Sequence, residues 1–146
     1  MKAETTKNRG FSLLELLIVV AIILIIATIA IPSLLKSRQL ANENAAVATL
    51  RTVSNAEATY ITAAGGSFGT LSQLISEKLL DGRFTGVTGG YNYSITTDGF
   101  DYTVTATPSA TNNGRFGYML DADGVIKYST VTTLAPTGMA GNPVSQ

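Results

Sequence analysis

Between Leu16 and Leu35 the chain carries no charged residue, and Thr28 and Ser33 are its only polar ones. Twenty residues of this kind in an α-helix span ~30 Å, the hydrocarbon thickness of a bilayer. A chain of 146 residues has too little remaining material to wrap such a helix. A freely soluble monomer is therefore disfavoured, and lipid or other copies of the chain must cover the run.

The flanks give the run a direction. Residues 1–10 hold Lys2, Lys7 and Arg9 against Glu4, a net of 3 − 1 = +2. A basic stub before an apolar run predicts that the N-terminus stays in the cytoplasm and the remainder lies across the membrane. The run begins abruptly at Phe11, is too long for a general secretory signal and lacks an Ala-x-Ala-like exit. The plain alternative is an uncleaved signal anchor.

Several chemistries are excluded by what is missing. With no Cys there is no disulfide, thiolate nucleophile or sulfur metal site, and with no His the commonest general base and metal ligand is gone. Ten Lys and Arg balance ten Asp and Glu, so the chain as a whole is not built to capture nucleic acid. Neither an enzyme nor a cofactor site is expected. Residues 65–146 carry four basic against six acidic groups, and Lys78, Arg83, Arg115 and Lys127 form no run. No specific nucleic-acid partner is expected there.

Beyond Leu35 the helical pattern becomes one-sided. Ala46, Leu50, Val53, Tyr60 and Ala64 share one face, and Gly65-Gly66 stops a helix that begins near Phe11. Residues 70–82 predict a short second helix, with a capping box at Thr70 and Gln73, an apolar face of Leu71, Leu74, Ile75 and Leu79, and a stop at Gly82. From residue 90 the period becomes two. Tyr91, Tyr93 and Ile95 predict one strand; Phe100, Tyr102, Val104 and Ala106 a second; Arg115–Leu120 a third; Val125–Ser129 a fourth. Asp98-Gly99 and Asp123-Gly124 supply turns. The fold class is α+β: a long N-terminal helix, membrane-spanning in its first half, packed on an antiparallel sheet of about four strands through Leu50, Val53 and Tyr60.

Arg9-Gly10-Phe11-Ser12-Leu13-Leu14-Glu15, followed by the charge-free run, resembles the leader and N-terminal helix of type IV pilins. The resemblance covers the first 35 to 55 residues; beyond them it is one of architecture. It implies the type IV pilin fold and a division into a cleaved leader (1–10), a transmembrane and filament-core helix (11–35), an amphipathic half (36–64), a head (65–134) and an irregular tail (135–146). It implies cleavage by prepilin peptidase between Gly10 and Phe11, N-methylation of Phe11, an assembly role for Glu15 opposite a neighbour's amine, and a helix kink at Pro32. Partners would be inner-membrane lipid, the assembly platform with its ATPase, and copies of the chain itself. The protein would reside in the inner membrane before entering an extracellular filament. Two departures stand out: no Cys for the C-terminal disulfide loop of many such pilins, and Leu24 where several carry a helix-loosening Gly.

A major pilin serving adhesion or twitching motility is the leading reading. The alternative is a pseudopilin of a type II secretion system, although Gly65–Leu71 lacks the Tyr-Pro and Gln-Gly-Leu pattern of the typical major pseudopilin. A DNA-uptake pilin would need a basic head patch, and a conductive one needs aromatics that core packing does not explain. Asp121-x-Asp123-Gly124 resembles a fragment of a calcium loop, but two carboxylates fall short of the six to eight oxygens calcium takes, and a polar turn is the better reading. Asn92-Tyr93-Ser94 matches a glycosylation sequon inside a strand and carries little weight.

Overall fold

The computed structural model describes residues 10–129 and 141–144. Residues 1–9, in the segment expected to be the leader, and most of the segment expected to form the tail lie outside the described residues. In order come α1 (Leu13–Ala63), α2 (Leu71–Ser76), a 3-10 turn (Gly82–Thr85), β1 (Val87–Thr88), β2 (Tyr91–Thr97), β3 (Tyr102–Pro108), β4 (Tyr118–Asp121), β5 (Ile126–Tyr128) and β6 (Asn142–Pro143). The chain divides into two compact units, residues 1–36 and 37–146.

In the first unit, α1 runs through Pro32 as a helix. Its side chains are exposed from Leu13 to Lys36, apart from half-buried Ala27. The Thr28 hydroxyl donates to the Ile25 carbonyl at 2.7 Å, which satisfies that polar group within the helix itself. This is the helix long and apolar enough to cross a membrane, and none of its apolar window is buried by the rest of the chain.

In the second unit the strands form one antiparallel sheet in chain order, β1 to β6. The later part of α1 covers it. Glu43, Ala46, Leu50, Val53, Ala56 and Glu57 are the buried positions of α1, at the three- and four-residue steps of one helical face. The four apolar ones share a core with Tyr91, Tyr102, Val104, Ala106, Tyr118, Leu120 and Ile126 from the strands, and with Leu74, Leu80 and Phe84 from the connection. The aromatics expected in the strands are core or half-buried, except Phe100, which is 88% exposed.

The class is as expected, and the edges of the elements differ for identifiable reasons. Helix α1 starts at Leu13 rather than Phe11 because Ser12 caps it, its hydroxyl accepting the Leu14 N–H at 3.3 Å. It ends in a Schellman-type turn, with Gly65 at φ 69° and the Gly66 N–H donating to the Ile61 carbonyl at 3.0 Å. Ala64 is exposed and Tyr60 half-buried. The second helix has the expected capping box but closes at Ser76, six residues before Gly82. Lys78 turns the chain with φ 59°, and Leu79 and Leu80 both donate back to the Leu74 carbonyl. That turn lets Leu80 and Phe84 both enter the core.

The sheet has six strands, not four. The added β1 and β6 are two-residue edge strands, too short for alternation to reveal. Strand β3 starts at Tyr102 because the Phe100 and Asp101 N–H groups are donated to the Asp98 carboxylate at 2.9 and 2.8 Å. Strand β4 starts at Tyr118 because the Arg115 N–H goes to Glu43 at 2.7 Å and the Phe116 carbonyl accepts the Tyr91 hydroxyl at 2.9 Å.

Tyr91 is completely buried, and a Cβ at Gly114 would fall on its hydroxyl. Gly114→Ala should therefore lower stability by about 1–3 kcal/mol through overpacking. Gly82→Ala, where a Cβ meets nothing within 4 Å, should change it by less than about 0.5 kcal/mol. Urea unfolding of the two variants in detergent checks the contrast.

Candidate functional site

The residues singled out at the N-terminus lie together at the start of the first unit. Gly10, Phe11 and Ser12 precede α1 outside any regular element, and all three are exposed. A Cβ on Gly10 would meet nothing within 4 Å. Among the described residues nothing crowds a side chain at that position. Phe11 is 77% exposed, and its side chain does not contribute to a core.

Glu15 has a local role that its position alone did not reveal. Its carboxylate accepts the Ser12 N–H at 2.9 Å while the Ser12 hydroxyl accepts the Leu14 N–H. Ser12-x-x-Glu15 thus makes the reciprocal half of a capping box, the Ser12 hydroxyl taking the Leu14 N–H instead of that of Glu15, and the pair is legible as S-x-x-E in the sequence. An acidic side chain in the first turn also complements the helix dipole. One oxygen, Oε2, is engaged by the cap; the other is left to accept a further donor.

The head contains polar clusters that sequence reasoning missed. Glu43 lies on the buried face of α1 and takes three bonds from Arg115: backbone N at 2.7 Å, Nε at 3.0 Å and Nη2 at 2.8 Å. Burial pushes the Glu43 carboxyl up, but the Arg115 hydrogen bonds and charge outweigh it and hold the group below its ordinary range. Gln39 and Asn42, on the same face, donate to the Thr111 and Asn113 carbonyls at 3.2 and 2.9 Å. Glu57 is fully buried with one bond, from the Gly69 N–H at 2.9 Å, and burial drives its carboxyl upward. Two Glu residues at helical spacing from an apolar stripe were the available signal.

Asp121 and Asp123 do converge on a cation, but one the chain supplies. Lys127 Nζ lies 3.0 Å from Asp121 Oδ2 and 3.1 Å from Asp123 Oδ2, and the Thr103 hydroxyl lies 3.2 Å from Asp121 Oδ1. The Val125 N–H and Lys127 together hold the Asp123 carboxyl low. Among the described residues no group of three or more His, Cys, Asp or Glu is gathered to hold a metal.

Because the native Glu43 carboxyl binds its proton less tightly than the unfolded one, its contribution is present above the ordinary value of 4.5. It is lost as pH falls through the lowered native value. Arg115→Met should flatten this acid-side loss and cost about 1–3 kcal/mol at neutral pH, below the figure for a fully buried pair because the Arg115 side chain is 39% exposed. Thermal melts of the two proteins from pH 3 to 7 check it.

Comparison with known proteins adds one match. The family described as the prokaryotic N-terminal methylation motif matches residues 5–31. No curated protein and no solved structure matches the chain. The matched stretch includes Gly10, Phe11 and Glu15 and most of the charge-free run, and it points to a structural subunit rather than an enzyme. The chain carries the class III leader of type IV pilins and reads as the precursor of a pilin-like or pseudopilin subunit.

Proposed function

We propose that the protein is the major structural subunit of a type IV pilus, held in the inner membrane by its first helix and then polymerised into a surface filament. The observation that carries this reading is an apolar helix with no cover of its own, directly behind a processing motif. A helix exposed all round is stable only in lipid or among copies of itself, and a filament core offers the second when the subunit leaves the first.

Processing fits the same reading. A side chain at Gly10 would meet none of the described residues, which supports a demand for glycine set by the active site of a prepilin peptidase rather than by packing. Cleavage there would release Phe11 as an exposed N-terminus for methylation. Pro32, which cannot donate to the Thr28 carbonyl, is where the helix would yield on assembly. Residues 11–35 would form the fibre core and the head its outer surface, engaging the assembly platform and ATPase on the way.

Mass spectrometry of sheared filaments should find subunits beginning at N-methyl-Phe11, with electron microscopy showing thin fibres. Fibres whose subunits retain residues 1–10 would refute the processing scheme. Gly10→Val should leave the thermal stability of the head unchanged and trap precursor in the membrane.

In the assembled fibre Glu15 would meet the Phe11 amine of an adjacent subunit with the oxygen its cap leaves over. Glu15→Gln separates the two roles, because Gln can cap a helix at this position but cannot carry the charge. The expected outcome is normal processing and insertion with filament yield reduced at least tenfold. Filaments at wild-type numbers from the Gln variant would leave Glu15 as a cap alone. A short periplasmic pseudopilus in place of surface fibres would favour the secretion reading.

A further inference from the structure

The link between α1 and α2 leaves the helix through the Gly66 N–H bond to the Ile61 carbonyl and is then held by contacts of different kinds. It starts at Gly65 and Gly66, with φ of 69° and 100° and open space where either Cβ would lie. A pair of such glycines has no side chain to lock it. The Phe68 N–H donates to the Gly99 carbonyl at 2.9 Å, and the Phe68 ring lies 4.7 Å from that of Tyr102. Gly69 lies against the Tyr60 ring, which a Cβ would approach to 3.0 Å. Its N–H donates to Glu57 Oε2 at 2.9 Å, and Thr70 then caps α2.

Glu57 is therefore the one acidic side chain to which this link is hydrogen-bonded, and it sits in an unusual place. It has no solvent exposure, and Oε1 has no hydrogen-bond partner. From its own helix it is flanked by Ser54 and Tyr60; from β3 it faces Tyr102, whose hydroxyl lies 3.2 Å from the Ser54 hydroxyl oxygen. The Tyr102 phenol also feels Asp101 and Asp121. Among the described residues no Lys or Arg pairs with Glu57. Each of the neighbours named here is neutral or acidic. The Gly69 N–H favours the ionised carboxylate, but with one such bond and no cation beside it burial outweighs that preference, and the neutral carboxyl, with its carbonyl turned to Gly69, is the better suited form.

We propose that Glu57 is a proton-operated latch on the 65–70 link. As the neutral acid it holds Gly69 against α1; ionised, it draws water to Oε1, and the link swings on Gly65-Gly66. The sign follows from linkage. The native carboxyl binds its proton more tightly than the unfolded one, so its support is complete at and below the ordinary value of 4.5 and is lost as pH rises through the raised native value. This is opposite to the Glu43 pair at the other end of the same buried face.

The test uses the full chain in detergent micelles. The Glu57 side-chain carboxyl is followed by carbon NMR from pH 3 to 9, together with amide exchange of Gly69, corrected for its intrinsic pH dependence. The carboxyl should titrate above the ordinary glutamate range. Gly69 protection should fall about tenfold for each pH unit of that shift once the group ionises. In Glu57→Gln, which keeps an acceptor for Gly69 without a titrating proton, protection should not vary with pH. A carboxyl that titrates in or below the ordinary range would overturn the latch, as would equal pH dependence in the two proteins. Should the Gln variant not fold, the wild-type titration and the pH dependence of Gly69 exchange decide the matter together.

Discussion

The head depends on one contact, the buried face of α1 against the apolar face of the sheet. Strands of two to seven residues cannot hide Tyr91, Val104, Ala106, Leu120 and Ile126 among themselves. The α1 positions from Glu43 to Glu57 lie over them at helical spacing, and each large apolar side chain buried there is worth about 1.5–3 kcal/mol. The other elements then follow. Helix α2 and the 3-10 turn deliver Leu74, Leu80 and Phe84 to the same core, and the two-residue strands finish the sheet at its margins.

Apolar contact is non-directional, so it does not by itself set where α1 sits along the sheet. Polar side chains on the same helical face supply the register. Gln39, Asn42 and Glu43 fasten successive parts of the 111–115 segment, and Glu57 takes the Gly69 N–H beyond the helix end. Arg115 also lies with its guanidinium carbon 5.0 Å from the Phe116 ring centroid, and Phe116 packs at 5.3 Å from Tyr128. The β3–β4 connection is thereby tied to both the helix and the sheet, which is why its backbone is used for side-chain bonds rather than for a longer β4.

Much of this was legible because the signals were local. The change from helical to alternating period located α1 and the four longer strands, and Thr70 with Gln73 located α2. The features without a local signal are set by partners distant in sequence. Arg115 looks like the first residue of a strand until Glu43, 72 positions earlier, takes its N–H. Phe100 fits an alternating pattern until Asp98 folds the turn. Glu43 and Glu57 carry no local signal of burial, since acids seldom lie on a buried face, and only the tertiary partners show why these do. At the N-terminus the motif could be read outright, since its residues are contiguous, and the capping use of Glu15 is written in the same residues.

The β4–β5 turn shows how an acidic signature can be satisfied within the chain. Asp121 and Asp123 would repel one another across a tight turn if nothing lay between them. Lys127, four residues after Asp123 and 7% exposed, places its ammonium at 3.0 and 3.1 Å from the two carboxylates. The bonds to both Asp residues hold the Lys127 ammonium in its charged form. The turn thus carries its own positive charge for both carboxylates. In a chain without cysteine, the β5–β6 pairing and this three-residue charge cluster are local, reversible interactions. They hold the end of the sheet by geometry rather than by a covalent bond.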